Sequence, residues 1–338
     1  KTLSKDQNNR VTRHCDPSVC IHCDKCKKSC IFLDKYKIDI SNTDRLRELA
    51  YHCFLCGRCT EVCPKGIDGR EIILRMRQEE VAANNDKLAQ KGYGFLLFEK
   101  KDYIYKNYRK GNKKSVLFPG CNYPSFYPKT TKYLSKMLKE VADMGTVYDC
   151  CGKPISELGL KKEEERTLNG IYKRMKEQGV EEIVTMCPNC FHYLKPKFRD
   201  YNFDLEVKSV YEKFTELGIG QKIKGDFSVF LPCPDREPRE MYKHIENFIE
   251  GDMFPVNEVQ CCGLGGCAIV KEPQLAQDMC DTMKLRTEQV YTYCATCAGN
   301  LERRGTKPIK HILNEIIGSD ERAAIKNSML NRLKTKFI

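Results

Sequence analysis

The sequence predicts a small α-helical domain followed by two α/β domains whose sheets are mainly parallel. Three observations carry this. Two tight cysteine runs lie within the first 65 residues, a five-cysteine block occurs twice after residue 115, and from Ser115 onward short apolar runs alternate with helical segments bearing lysine and glutamate faces. The boundaries that follow are a helical domain over 1–90, a linker over 91–113, a first α/β domain over 114–225 and a second over 226–338.

In the helical domain, Ser41 or Asn42 is placed to cap a helix through Arg45, Leu46, Leu49 and Ala50, and Asp68 to cap another through Ile72, Ile73, Met76 and Val81. Around these lie Cys20, Cys23, Cys26 and Cys30, then Cys53, Cys56, Cys59 and Cys63, the last followed by Pro64. Each set is a C-x2-C-x2-C-x3-C run, the bacterial pattern for a pair of [4Fe–4S] cubanes. Three cysteines spaced by three wrap three corners of a cube from one short loop, and the fourth corner is supplied by the other run. Cys20, Cys23, Cys26 and Cys63 are thus assigned to one cubane, and Cys53, Cys56, Cys59 and Cys30 to the other. Zinc is the alternative occupant, disfavoured by two complete runs of this form. Ile31 departs from the pattern, because proline often follows the fourth cysteine. The linker mixes glycine, aromatics and lysine, and its expected role is to pack those aromatics on a neighbouring domain.

In the first α/β domain Val116–Phe118 leads to Cys121, Thr146–Tyr148 to Cys150 and Cys151, and Ile183–Met186 to Cys187 and Cys190, with helices expected over 128–143 and 161–178. In the second, Phe227–Leu231 precedes Cys233, Glu258–Gln260 precedes Cys261 and Cys262, and Val290–Tyr293 precedes Cys294 and Cys297. The Cys-Cys-Gly triplets are 111 positions apart. Loops at the carboxyl ends of parallel strands gather in one place, so one, two and two cysteines can meet at one site. Five thiolates exceed the four corners of a cubane. Either one is idle or the cluster has another shape with a bridging thiolate. Adjacent side chains on extended backbone point to opposite faces, and Gly152 and Gly263 permit a turn that brings both sulfurs to one site.

These groups use 18 of the 21 cysteines and leave Cys15, Cys267 and Cys280; the last two are expected to be small buried residues and Cys15 either buried or a ligand. So many thiols in a 338-residue chain imply a reducing, cytoplasmic setting. Lys1–Lys5 does not open a signal peptide, and no apolar run approaches the 18 or more residues that span a bilayer. The formal charge of +12 is spread along the chain among 46 acids and accompanies no nucleic-acid motif. Four clusters with thiolate ligands would lower it to about +4, which suits an acidic redox partner such as a ferredoxin or flavodoxin. Gly263-Leu264-Gly265-Gly266 lacks the G-x-G-x-x-G spacing of a dinucleotide loop. With no flavin or nicotinamide site, the expected electron partner is a separate flavoprotein. His192, two residues after Cys190, is read as structural in preference to a proton donor, and no catalytic residue is assigned.

Phe118-Pro119-Gly120-Cys121, Cys150-Cys151-Gly152, Cys187-Pro188-Asn189-Cys190, Cys261-Cys262-Gly263 and His311-Ile312-Leu313 resemble the CCG-domain (cysteine-rich domain) iron–sulfur family. With the N-terminal runs, the chain resembles a fusion of the small iron–sulfur and catalytic subunits of heterodisulfide reductase, and is similar to iron–sulfur subunits of glycolate, lactate and glycerol-3-phosphate dehydrogenases. The resemblance implies a helical two-cluster ferredoxin domain and two CCG domains, each holding a noncubane [4Fe–4S] cluster, with a disulfide cleaved between them or the chain serving one branch of a flavin-based bifurcating complex of an anaerobe. The cluster ligands it implies are Cys121, Cys150, Cys151, Cys187 and Cys190, and Cys233, Cys261, Cys262, Cys294 and Cys297. Pro234 after Cys233 and Ala295 after Cys294 depart from the family pattern, so zinc stays open at the second block. The other functional readings are an electron conduit in a flavin-dependent 2-hydroxyacid or glycerol-3-phosphate dehydrogenase, and a zinc-stabilised scaffold.

Overall fold

The computed structural model describes residues 12–338, and the Lys1–Lys5 segment lies outside the described residues. The N-terminal part is helical but broken, because each cysteine loop interrupts the hydrogen-bond ladder: helices cover Lys25–Ser29, Ile31–Tyr36, Thr43–Glu48, Arg58–Glu61 and Gly69–Ala83. The Asp68 carboxylate accepts from the Glu71 N–H at 3.0 Å, as an N-cap does. Asn42 precedes its helix, but its side-chain oxygen accepts from Asp39 N at 2.7 Å instead. The Gly69–Ala83 helix buries Ile72, Ile73, Met76 and Val81, and also Arg77.

Eleven strands follow among the described residues: β1 Asn107–Lys110, β2 Ser115–Phe118, β3 Gly145–Tyr148, β4 Glu182–Thr185, β5 Glu206–Ser209, β6 Ile223–Lys224, β7 Phe227–Val229, β8 Ile249–Glu250, β9 Met253–Pro255, β10 Val290–Thr292 and β11 Lys310–His311. The first sheet has the order β1-β3-β2-β4-β5 and the second β11-β10-β7-β9, with β6 and β8 paired separately. Every pairing is parallel except β1 with β3. The parallel order β3-β2-β4-β5 is thus repeated as β9-β7-β10-β11, and the duplication visible in the cysteines is a duplication of fold. Helices Pro128–Ala142 and Lys161–Glu177 lie where the heptad-like spacing of Leu134, Leu138, Leu168, Ile171 and Met175 puts an apolar stripe against the sheet.

Two expectations are corrected. Residues 91–113, expected as a linker packing its aromatics on a neighbouring domain, hold regular structure: Gly94–Lys100 is a helix, and β1 forms the antiparallel edge of the first sheet. The edge is tied down by side chains, with Tyr108 donating to the Asp149 carboxylate at 2.7 Å and Asn107 Nδ2 to the Thr335 carbonyl at 2.8 Å. Glu258–Gln260 is not a strand. The strand ends at Pro255, and the next segment turns toward the N-terminal domain, where Arg58 donates to the Asn257 carbonyl at 3.1 Å and Arg236 to the Gln260 carbonyl at 2.6 Å.

The two α/β domains face each other through crossed side-chain contacts. His192 Nε2 of the first lies 2.6 Å from Asp235 Oδ1 of the second, and Asp235 also accepts from the Tyr293 hydroxyl at 2.6 Å and from Tyr242 N at 2.9 Å. On the other side, His311 Nδ1 accepts from Leu313 N at 3.3 Å, which leaves the proton on Nε2 to donate to the Tyr123 hydroxyl at 2.8 Å. Burial holds His311 down to about 3, so it is neutral in the fold. An unfolded histidine protonates near pH 6.5, so the stability contributed by neutral His311 is present above that pH and is lost as pH falls from about 6.5 toward 3. The urea midpoint of His311→Gln is expected to fall less than that of the parent between pH 7 and pH 5; parallel falls would contradict this account.

Candidate functional site

The thiols gather in three places. Cys20, Cys23, Cys26 and Cys63 line one small cavity near the surface, with Cys23 exposed and Cys20 and Cys63 half-buried. The Cys20 loop is shaped by the His22 N–H, which donates to Cys20 Sγ at 3.4 Å. Cys30, Cys53, Cys56 and Cys59 form a second, buried set. Within it Leu55 N donates to Cys53 Sγ, and Gln260 Nε2 to both Cys30 Sγ and Cys56 Sγ, each at 3.4 Å. The structure therefore places Cys63 with the first run and Cys30 with the second. Desolvation pushes the Cys53 thiol up to about 11 and raises Cys30, Cys56 and Cys59 as well. Four desolvated thiols are poor anions on their own, and a cationic iron core, if bound, would supply the counter-charge that turns them into ligands.

The third place is a cavity of about 320 Å³ between the α/β domains, walled by Cys121, Cys150, Cys151, Cys187 and Cys190 from one and Cys233, Cys261, Cys262 and Cys297 from the other. Cys294 sits beside it, with its Sγ 3.7 Å from Asn189 Nδ2 of the opposite domain. Gly152 and Gly263 adopt φ of +87° and +83°, the left-handed turn that brings both sulfurs of each pair to one site. In each block the second sulfur of the pair accepts from two other cysteines, and Cys294 likewise accepts from Cys187 and Cys297. Hydrogen bonds from Cys150 and Cys190 hold Cys151 down to about 5, and those from Cys261 and Cys297 hold Cys262 down to about 6. Backbone donors complete the cradle, with Gly263 N 3.4 Å from Cys261 Sγ. Soft thiolates with N–H donors on the sulfurs suit an iron–sulfur cluster in each block.

The rest of the wall was not legible in the cysteine pattern. Phe54, Leu55, Phe95 and Leu96 are its apolar part, and Lys100, Lys153 and Arg332 face it beside Glu99 and Glu157. Lys100 Nζ lies 2.8 Å from Glu99, and Arg332 shares the same carboxylate. Phe95, Leu96, Glu99 and Lys100 come from the segment read as linker, and Arg332 from a helix at Ser328–Lys334. Cys267 also lines the cavity, whereas Cys280 is buried against the Cys262 carbonyl at 3.7 Å and Cys15 is half-buried apart from it. His192 is not among the cavity-lining residues and serves the Asp235 contact. Gly265 and Gly266 make a close approach to the N-terminal domain: a Cβ on Gly266, at φ +60°, would lie 2.6 Å from the Cys53 carbonyl.

A duplicated parallel α/β fold with five sulfurs at the strand ends of each copy defines a class of iron–sulfur redox protein. Residues 115–195 and 228–302 match the cysteine-rich (CCG) domain family, and the chain carries two domains of that family. It is 26% identical over 301 residues to a subunit of the fumarate reductase (CoM/CoB) of Methanothermobacter marburgensis, an alignment covering 78% of this chain and 60% of that relative. It is 23% identical over 332 residues to a subunit of the dihydromethanophenazine:CoB–CoM heterodisulfide reductase of Methanosarcina mazei, covering 83% and 79%. It is 25% identical over 232 residues to lactate utilization protein A of a Geobacillus strain, covering 58% and 95%. The chain thus spans about three-fifths of the length of the first of these. It is related to iron–sulfur subunits of redox enzymes. Among the described residues no helix is long and apolar enough to cross a membrane.

Proposed function

We propose that the chain is the electron-transfer and catalytic iron–sulfur subunit of a heterodisulfide-reductase-like complex. In this reading it is cytoplasmic, exchanges electrons with a flavoprotein, directly or through an acidic ferredoxin or flavodoxin, and reduces a disulfide in the cavity between its cysteine-rich domains. The observation that carries it is that both five-cysteine blocks open onto the same cavity, so that clusters held there would face each other across it. The residues fit two cubanes on the N-terminal sets and a noncubane four-iron cluster on each block, which when bound would supply and accept single electrons. The set at Cys20, Cys23, Cys26 and Cys63, which reaches the surface at Cys23, suits exchange with a partner, and the buried set at Cys30, Cys53, Cys56 and Cys59 lies between it and the cavity blocks.

The chemistry is R–S–S–R′ + 2 e⁻ + 2 H⁺ → R–SH + R′–SH, and two facing one-electron centres match its stoichiometry. Phe54, Leu55, Phe95 and Leu96 exclude water from the S–S bond. Of the wall's side chains, Lys100, Lys153 and Arg332 are the ones that would pair with an acidic arm of a disulfide. Reduced, iron-loaded protein mixed anaerobically with acidic, neutral and basic disulfides should be reoxidised by an acidic one, with two electrons consumed and two thiols formed per disulfide. No response to any disulfide, with rapid reoxidation by a flavoprotein, sinks the catalytic reading.

The alternative is an electron conduit in a flavin-dependent 2-hydroxyacid dehydrogenase system. Its support is the alignment that covers 95% of lactate utilization protein A.

A further inference from the structure

Gln260 stands directly before the second cysteine pair, yet its side chain reaches the N-terminal thiols. Its Nε2 donates to Cys30 Sγ and Cys56 Sγ, both at 3.4 Å, and its Oε1 accepts from Ile31 N at 2.8 Å. The orientation of the amide follows from chemistry: the Ile31 N–H needs an acceptor, so Oε1 turns to it and both Nε2 hydrogens are left for the sulfurs. Ile31 occupies the position where proline often closes such a run. Proline has no N–H and would leave the amide without its anchor.

The Gln260 carbonyl is held by Arg236 Nη2 at 2.6 Å, and the same guanidinium lies 3.4 Å from the Cys56 carbonyl and 4.0 Å from Cys233 Sγ. One buried amide and one buried guanidinium therefore join the buried N-terminal set to the second block, to which Gln260 is also joined by its peptide bond to Cys261. Among the described residues no side-chain hydrogen bond joins the sulfurs of this set to the first block. At the matching place, 111 positions earlier, stands Asp149. Its carboxylate takes the Tyr108 hydroxyl at 2.7 Å, Arg174 at 3.3 Å and its own neighbour Cys150 N at 2.7 Å.

We propose that Gln260 is a positioning residue that sets the reduction potential of a cluster on Cys30, Cys53, Cys56 and Cys59, and that electrons pass between this cluster and the cavity through the second block. N–H donors on cluster thiolates stabilise the more negative, reduced state and raise its potential. The inference rests on the proposed four-iron assignment of that set.

The test is an anaerobic redox titration of the iron-loaded full chain, followed by electron paramagnetic resonance. Gln260→Leu should lower the midpoint of one signal by about tenfold in its reduction equilibrium, about 59 mV for one electron. Ile31→Pro, which touches neither sulfur, should move the same signal in the same direction, and Asp149→Asn should leave it in place. An unmoved midpoint with full iron content in both Gln260→Leu and Ile31→Pro overturns the role, as does loss of that iron in both, which would make Gln260 purely structural. If only Gln260→Leu loses iron, Ile31→Pro decides. For the route, magnetic splitting of this signal in the fully reduced protein should vanish in Cys262→Ala and persist in Cys151→Ala; the reverse pattern overturns it. Survival of the signal unchanged in Cys56→Ala refutes the four-iron assignment itself, separately from the role of Gln260.

Discussion

Arg77→Leu is expected to destabilise the protein by about 4 kcal/mol or more, because each buried polar group left without a partner costs about 1–3 kcal/mol. The Arg77 side chain is fully buried and makes five hydrogen bonds to four backbone carbonyls, those of Ala50, Cys53, Glu157 and Gly266. These carbonyls belong to the N-terminal domain and to both cysteine-rich domains, so one guanidinium fastens all three. A buried cation surrounded by neutral carbonyls is poorly compensated. A cluster on the neighbouring Cys53 set would bring a net charge of about −2 to oppose it. The loss in Arg77→Leu should therefore be larger for iron-loaded than for iron-free protein when urea midpoints are compared, and Arg77→Lys should recover only part of it. Losses under about 1 kcal/mol in both states would show that the carbonyls find other donors, since a single net hydrogen bond is worth about that much.

The second large effect is expected at the second sulfur of each Cys-Cys-Gly pair. Cys151 and Cys262 are the hubs of their blocks, each held as the acceptor of two other cysteines. With four four-iron clusters the parent should hold about 16 irons per chain. Cys151→Ala and Cys262→Ala should each hold about 12, and the double variant about 8. Each single variant should also lose disulfide-dependent reoxidation entirely, because the two-electron step needs both sides of the cavity. A parent with about 12 irons and one zinc, unchanged in iron by Cys262→Ala, would place zinc in the second block.

The cysteine groups were legible in the sequence because ligand spacing is local: C-x2-C and Cys-Cys-Gly motifs declare themselves within a few residues. The parallel sheets were largely legible for the same reason, since most of the apolar runs end on their cysteine loops, the exception being Glu258–Gln260, whose strand lies at Met253–Pro255. Arg77 could have been suspected, because it falls four residues after Ile73 and four before Val81 on the buried stripe of its helix. Gln260 carried no such signal. It looked like the last residue of a strand, and only the turn after Pro255 sends it across to Cys30 and Cys56. Lys100 and Arg332 are more than 200 positions apart and share one carboxylate, a pairing that no local pattern encodes.

By itself the sequence determined the duplicated strand–cysteine units, the two N-terminal runs and the soft-thiolate chemistry, all of which depend on residue type and short spacing. Tertiary structure alone decided that the two blocks share one cavity, that Phe95, Leu96, Glu99 and Lys100 help to wall it, and that Gln260 joins the buried N-terminal set to the second block. Those outcomes depend on how three domains dock. Docking is governed by a few long-range contacts, Arg77, Gln260 and Arg236 among them, whose partners lie far away along the chain.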